Sequence, residues 1–103
     1  MPTSANPPRL SPKELLILET LASRGPMYGL ELVAKSKGQL KRGTIYVTLG
    51  RMEDKGYVDS ETEAPRAGAV GLPRRLYRPT AYGLRVMEAW AMVRSALAWS
   101  TPG

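Results

Sequence analysis

The stretch 41–57, KRGTIYVTLGRMEDKGY, would place one set of polar and small side chains on a single face of a helix. That set is Thr44, Val47, Thr48, Arg51 and Lys55. These side chains are short, hydroxylated or basic, so a DNA duplex could approach the helix closely. An arginine can donate two hydrogen bonds to the edge of a guanine, and a lysine can pair with a phosphate. The pattern therefore predicts the recognition helix of a winged helix-turn-helix.

Arg51 is the best candidate for reading a base in the major groove, a contact worth about 1–3 kcal/mol of discrimination. The alternative is a surface ion pair with Glu53 or Asp54. The DNA contact is favoured because both acidic residues lie off the face that carries Arg51. Lys41, Arg42 and Lys55 are predicted mainly to hold phosphates.

Two further residues of the same stretch have open roles. Tyr46 lies on the flank between the two faces, where its hydroxyl could donate to a phosphate or its ring could pack against the preceding helix. Packing is slightly favoured, and Tyr46 stays among the candidate DNA-binding residues. Gly50 would permit the close approach of another helix or of backbone.

The opposite face of the predicted recognition helix is apolar. Ile45, Leu49 and Met52 recur at i, i+4 and i+7, which is typical of a helix packed on a core. Two helices should precede it. The first begins at Ser11, which can form a capping box with Glu14, and it ends before the Gly-Pro pair at 25–26.

The second helix is predicted from Leu30 to about Lys37, with Gly38 as its end. Its apolar stripe would consist of Leu30, Val33 and Ala34. The segment 27–29 between the first two helices is predicted to be a turn. Together with the recognition helix, these segments make a core of three helices.

After Gly56 the periodicity changes from helical to alternating, which indicates strands. Residues 57–63 form the first predicted strand, 64–73 a Gly/Pro-rich loop and 74–78 a second strand. Two strands joined by a loop directly after a helix make a hairpin wing. The chain is therefore predicted to be α+β and mostly α, a winged helix-turn-helix of three helices and a two-stranded wing.

The predicted wing is basic, and arginines are drawn to a narrow minor groove. The candidate DNA contacts on it are Arg66, Arg74 and Arg75. The alternative is that wing arginines pair with acidic residues of the first strand across the hairpin. Arg66 and Arg74 are favoured over Arg78 as DNA contacts.

The last predicted helix spans Ala81 to about Ser100 and carries few charges. One side is expected to dock on the first helix and the other to pack on a second copy of the chain. The candidate dimer or effector residues are Val86, Met87, Trp90, Val93 and Leu97. A sharper hypothesis is a cleft between subunits in which Trp90, with Met87 or Met92, holds a small planar hydrophobic ligand.

Composition limits the classes of function. The 103 residues suffice for one small domain, and the net charge of +6 favours a polyanionic partner. The sequence has no Cys and no His, which removes thiol catalysis, Cys/His zinc sites and the commonest general base. No enzyme activity, cofactor, membrane span or secretory signal is expected, so the predicted location is cytoplasmic.

The predicted divisions of the chain are a disordered tail at 1–10, a winged-helix domain at 11–79 and a dimerisation helix at 80–100.

Four segments in the same order resemble the PadR family of bacterial transcriptional regulators. They are LLILETLA, GPMYGLEL, RGTIYVTLGRMEDKGYV and RRLYRPTAYG, which lie within residues 11–83. The resemblance implies a DNA-binding regulator, usually dimeric through its C-terminal helix and here of the short form. The expected function is repression by a homodimer on a palindromic operator, with release by a small hydrophobic effector. The alternative is a winged-helix module that binds proteins without specific DNA recognition.

Overall fold

The structure is a computed structural model that describes residues 8–63 and 74–100, the last four of these as backbone only. The elements in chain order are α1 (Pro12–Arg24), β1 (Met27–Tyr28), α2 (Gly29–Lys35), α3 (Ile45–Asp54), β2 (Val58–Thr62), β3 (Arg75–Pro79) and α4 (Ala81–Ser100). The predicted winged helix-turn-helix layout is confirmed, with β1 as an additional element. Within the described part of the chain, no helix is long and apolar enough to cross a membrane.

Helix α1 begins where its capping box predicts. The Ser11 hydroxyl accepts a hydrogen bond from the Glu14 backbone N–H at 3.2 Å, and the Glu14 carboxylate accepts one from the Ser11 N–H at 2.9 Å. These two bonds satisfy backbone donors that the first helical turn leaves unpaired. The buried side of the helix packs on the core through Ile17, Leu18 and Leu21.

Helix α2 presents a different face from the one predicted. Leu30, predicted to lie on its apolar stripe, is 45% exposed, whereas Leu32 is completely buried. The helix starts at Gly29, directly after β1, so the strand sets its orientation. Seven residues make two turns, which is too short for apolar spacing alone to define a face.

The wing belongs to a three-stranded antiparallel sheet of order β1–β3–β2. The predicted hairpin is confirmed, with Val58 opposite Pro79 and Ser60 opposite Tyr77. The third strand comes from the segment predicted to be a turn, where Met27 pairs with Tyr77. Two residues are too few to show strand alternation, so the sequence carried no signal for β1.

One core joins the three helices to the sheet and to α4. The predicted apolar stripe of α3 is confirmed, because Ile45, Leu49 and Met52 are all buried. The other buried apolar residues are Ile17, Leu18, Leu21, Met27, Leu32, Leu40, Tyr57, Val58, Tyr77 and Val86. This packing fixes α3 by its apolar side and leaves the opposite side outward.

Helix α4 begins after Thr80, as predicted. The Thr80 hydroxyl accepts a hydrogen bond from the Gly83 N–H at 2.9 Å and so caps the helix. The helix packs beside α1, where Arg94 lies 3.6 Å from Glu19. In the same half of the helix, Met92 is 72% exposed, so this part of α4 offers apolar surface that the rest of the described chain does not cover.

Residues 8–10, which the sequence placed in a disordered tail, lie against the fold. The Trp90 indole N–H donates to the Pro8 carbonyl, and the Tyr57 hydroxyl donates to the Arg9 carbonyl, both at 2.7 Å. Leu10 packs on the core beside them. Aromatic donors far along the chain hold this segment, which composition alone did not indicate. Residues 1–7 lie outside the described residues.

Tyr57 gives a pH dependence that can be tested. Burial, reinforced by Tyr82 and Glu14, raises the pKa of its hydroxyl above the usual 10.0. The folded chain therefore holds this proton more tightly than the unfolded chain, and stability falls as the pH rises above 10 through the raised pKa. We expect the melting temperature of Tyr57→Phe to decline less steeply than that of the wild type above pH 10. Parallel profiles would contradict this role.

Candidate nucleic-acid interface

The outward side of α3 carries the predicted recognition face. Thr44 stands at the N-cap, and Val47 and Arg51 follow on exposed helix. Thr48 is half-buried, and its hydroxyl donates to the Thr44 carbonyl at 3.2 Å, which holds the hydroxyl along the helix. The side chains that suit a duplex groove therefore lie together, opposite the buried stripe.

This face is one wall of an open groove of about 380 Å³ between α3 and the start of α1. The lining residues are Ser11, Lys13, Glu14, Thr44, Val47, Thr48, Arg51 and Lys55. The five residues predicted from helical spacing are all present. The three from α1 were missed, because nothing local shows that the capping box of α1 lies beside α3.

Arg51 is free to meet a ligand. Glu53, one of its two alternative partners, accepts a hydrogen bond from the Ser60 hydroxyl at 2.9 Å and lies 3.9 Å from Arg75. Among residues 8–63 and 74–96, no acidic side chain pairs with the Arg51 guanidinium. Lys41 and Arg42 are likewise exposed, on the turn that precedes α3.

Lys55 differs from these cations because its charge is already paired. Its ammonium lies 2.8 Å from the Glu14 carboxylate and 5.5 Å from the centroid of the Tyr57 ring. The Glu14 side chain is only 5% exposed, whereas that of Lys55 is 39% exposed. The residue lies on the predicted face, but its ammonium bridges the end of α3 to the start of α1.

Tyr46 and Gly50 occupy contrasting environments on α3. Tyr46 is half exposed, and its ring packs so closely on Gly29 that a Cβ added there would lie 2.7 Å from the ring atom Cε1. This is the packing contact that the sequence slightly favoured. A Cβ added at Gly50 would meet no described atom within 4 Å, so the expected close approach at Gly50 is wrong.

At the base of the wing, Arg74 is positioned by an aromatic ring. Its guanidinium carbon lies 5.1 Å from the centroid of the Tyr28 ring, a cation–π distance. The Tyr28 hydroxyl donates to Glu63 at 2.5 Å, and this hydrogen bond raises the pKa of Tyr28 above 10.0. Arg74 is thus exposed and oriented. Arg66 falls outside the described residues.

Of the other two wing arginines, Arg78 makes the pairing with first-strand acidic residues that was left open as an alternative, whereas the acidic neighbour of Arg75 lies on α3. Arg75 donates to the Ser60 hydroxyl at 3.1 Å and faces Glu53 of α3. Arg78 lies 3.7 Å from Asp59 and 3.5 Å from Glu61. Both guanidiniums remain partly exposed, so these surface pairs hold them only weakly.

The α4 candidates do not form one surface. Val86 is buried in the core of the chain itself, which corrects its assignment to a dimer or effector surface. Met87 and Trp90 are partly buried, Val93 is half-buried, and the Leu97 side chain is not among those described. The physical reason is that Val86 faces the core, whereas Met87 lies at the edge where α4 packs beside α1.

A second groove, of about 320 Å³, runs between α1 and α4. Its lining residues are Glu19, Ala22, Ser23, Met87, Glu88 and Ala91. This groove lies within one chain, so it is not the predicted cleft between subunits. Met87 lines it but Trp90 does not, and the Trp90 indole N–H donates to the Pro8 carbonyl. Acidic side chains do not gather into a metal site anywhere in the described residues.

Comparison with known proteins shows which family this chain resembles in sequence and structure. A family profile described as "Transcriptional regulator PadR-like family" matches residues 17–89. A PadR family transcriptional regulator from Eggerthella lenta DSM 2243 is 31% identical, with 82% of this chain and 72% of that chain covered and a TM-score of 0.67. The putative transcriptional regulator TA0346 from Thermoplasma acidophilum is 30% identical, with coverages of 86% and 91% and a TM-score of 0.60.

A more distant structure, Bacillus subtilis PadR in complex with operator DNA, is 19% identical and shares the fold, with a TM-score of 0.69. The alignment covers 90% of this chain and 62% of the Bacillus subtilis chain. No curated protein matches the chain significantly. The profile match spans most of the sequence and includes α3, the wing and the first turns of α4. The chain belongs to the PadR-like family of transcriptional regulators.

Proposed function

We propose that the chain acts as a homodimeric repressor that binds a palindromic DNA operator through α3 and the wing. The observation that carries this proposal is the free Arg51 guanidinium on the exposed face of α3, beside Thr44, Val47 and Thr48. Lys41 and Arg42 add exposed positive charge on the turn before α3, and Arg74 adds it at the base of the wing. The net charge of +6 and the operator complex of the Bacillus subtilis relative support a polyanionic partner.

The recognition face also weighs against the alternative, a module that binds proteins without reading DNA. Such a module needs no unpaired basic residue at the centre of an exposed helix. In this chain the central arginine has no acidic partner among the described side chains, and the hydroxyl and small residues around it leave room for base edges. The groove therefore suits a duplex better than an apolar peptide.

Sequence-specific binding can be tested by selection from random DNA. The purified chain is used to select from a random duplex library, and the enriched sequence is compared with random duplex in competition. We expect an enriched palindrome whose half-sites lie about 34 Å apart, one turn of B-DNA. Repression is tested with a reporter gene whose promoter carries this palindrome: we expect reporter expression to fall when the chain is expressed. Equal affinity for enriched and random duplexes at moderate salt would refute specific recognition.

Homodimer formation would use the distal half of α4. The helix has 20 residues, about 30 Å of length, and in its distal half Arg94 contacts Glu19 of α1. Ala91 and Met92 are exposed there, and the rest of that half is poor in charge. An apolar helix surface of this kind is normally covered by a second subunit.

Replacement of Met92 tests the dimer. We expect the wild type to behave in light scattering as about twice its 11.3 kDa mass, and Met92→Glu to shift toward the monomer because a charge would be buried at the interface. Lys35→Glu, on exposed α2, is the matched control and should remain dimeric. A wild-type monomer at micromolar concentration would refute this use of α4.

A small planar hydrophobic effector is a second proposal, and it rests on the groove between α1 and α4. Met87 and the two alanines Ala22 and Ala91 give this groove apolar walls of adaptable shape. A ligand there would press on the contact of α4 with α1 and so could alter the spacing of two recognition helices. Isothermal titration calorimetry with a panel of planar aromatic compounds should detect binding, and Met87→Ala should weaken that binding. If Met87→Ala leaves the titration unchanged, the ligand binds elsewhere.

A further inference from the structure

Two lysines line the recognition groove, and they differ in what surrounds their charge. Lys13 lies in the first turn of α1 and is exposed, and no acidic side chain of the described residues pairs with it. Lys55 lies at the C-terminal end of α3 and is paired with the buried Glu14 at 2.8 Å. The helical spacing of α3 favours Lys55 as the phosphate ligand, but the contacts favour Lys13.

Glu14 is not free to release Lys55. One carboxylate oxygen accepts the Ser11 backbone N–H in the capping box, and the other accepts the Lys55 ammonium. Because the carboxylate is almost completely buried, withdrawal of the lysine would leave a desolvated negative charge without its cation. A phosphate that approached would also be repelled by that carboxylate. Both effects keep the Lys55 ammonium on Glu14 when a duplex enters the groove.

The pair has a second consequence, because it joins two elements that are 41 residues apart in the sequence. Lys55 is the C-cap residue of α3, and Glu14 is in the first turn of α1. Their contact fixes the angle at which the end of the recognition helix meets α1. Arg51 lies one helical turn before Lys55, so this angle also sets the direction of its guanidinium.

We propose that Lys13 holds a DNA phosphate at the α1 side of the groove, and that Lys55 acts as a positioning residue that orients α3 through Glu14. This inference rests on the proposed function, since it names the phosphate ligand of the same interface. Lys13 suits the role because no acidic side chain of the described residues pairs with it and its long side chain lines the α1 side of the groove, across from α3.

Salt dependence separates the two roles. Each phosphate that a cation neutralises contributes about 0.9 to the slope of log affinity against log salt concentration. Lys13→Gln should therefore reduce the magnitude of the slope by about 0.9 per bound subunit, and should weaken enriched and random duplexes by the same factor. Lys55→Gln removes the same charge from the same groove, but should leave the slope unchanged and reduce only the preference for the enriched duplex.

Two further variants guard against a simple loss of folding. Lys55→Arg keeps a cation beside Glu14 and should restore the preference for the enriched duplex. The double variant Glu14→Gln/Lys55→Gln removes both charges, so no unpaired carboxylate is left in the interior, and it should keep the wild-type slope. Thermal unfolding of each variant gives the folded fraction by which affinities are corrected.

The slopes are measured on the enriched duplex and on a random-sequence duplex of the same length. A Lys55→Gln slope smaller by about 0.9, or a Lys13→Gln slope equal to that of the wild type, would overturn the inference. Equal affinity of the wild type for the two duplexes would instead refute the proposed function. In that case, the slopes on random duplex would still decide which lysine holds the phosphate.

Discussion

Replacement of Arg51 by alanine should weaken binding to the enriched duplex by roughly 5- to 150-fold per half-site, with a smaller loss on random duplex. The reason is that a bidentate arginine contact to guanine contributes about 1–3 kcal/mol of discrimination, and the Arg51 guanidinium has no acidic partner among the described side chains to occupy it instead. In a two-fold dimer the loss would occur at both half-sites. Competition binding of enriched against random duplex measures it directly.

Two control variants separate base reading from charge. Arg51→Lys keeps the charge but cannot form the planar fork, so it should keep the salt slope and lose most of the preference for the enriched duplex. Arg24→Ala removes an equal charge from the far end of α1, away from the groove, and should keep that preference. If Arg51→Lys binds the enriched duplex as well as the wild type does, Arg51 contacts phosphate and not a base.

The largest effect on stability is expected at Gly83, in the first turn of α4. A Cβ added there would lie 2.8 Å from the Tyr57 carbonyl carbon and closer still to its oxygen. That oxygen also accepts the Thr80 N–H at 3.0 Å, so α4 would have to move away from the sheet. We expect Gly83→Ala to cost about 3 kcal/mol and to lower the melting temperature by roughly 10–25 °C in thermal unfolding.

Gly50→Ala is the matched control, because it adds the same methyl group to another helix. At Gly50 the added Cβ meets no described atom within 4 Å, and alanine is the better helix former. This variant should be more stable than the wild type by about 0.5–1 kcal/mol. If both variants lost stability equally, the close contact of Gly83 with Tyr57 would not be what limits this position.

The parts of the interface that could be predicted from the sequence depend on residues close together in the chain. The recognition helix has ten residues, long enough for the spacing of Ile45, Leu49 and Met52 to define its buried side and so its outward face. The capping box at Ser11 and Glu14 likewise lies within one turn. In both cases the physical cause is local, so the residue pattern is sufficient.

The parts that could not be predicted depend on contacts between distant segments. The exposed Leu30 and buried Leu32 are set by the strand that precedes α2, not by their own spacing. The role of Lys55 depends on Glu14, which belongs to a different helix. Gly50 and Gly83 look equivalent in the sequence, although one lies in open space and the other against backbone. These differences arise only when the elements pack.

The contacts of residues 8–10 have a consequence for the order of folding. Pro8 is bonded to Trp90 across 82 residues, and Arg9 to Tyr57 across 48. Closing such long loops costs entropy that only the finished fold repays, so this segment should dock after the helices and the hairpin have formed. During synthesis residues 8–10 leave the ribosome before Tyr57 and Trp90 are made, so they must wait for these partners. Residues 8–10 thus reach their native position after segments that are synthesised later.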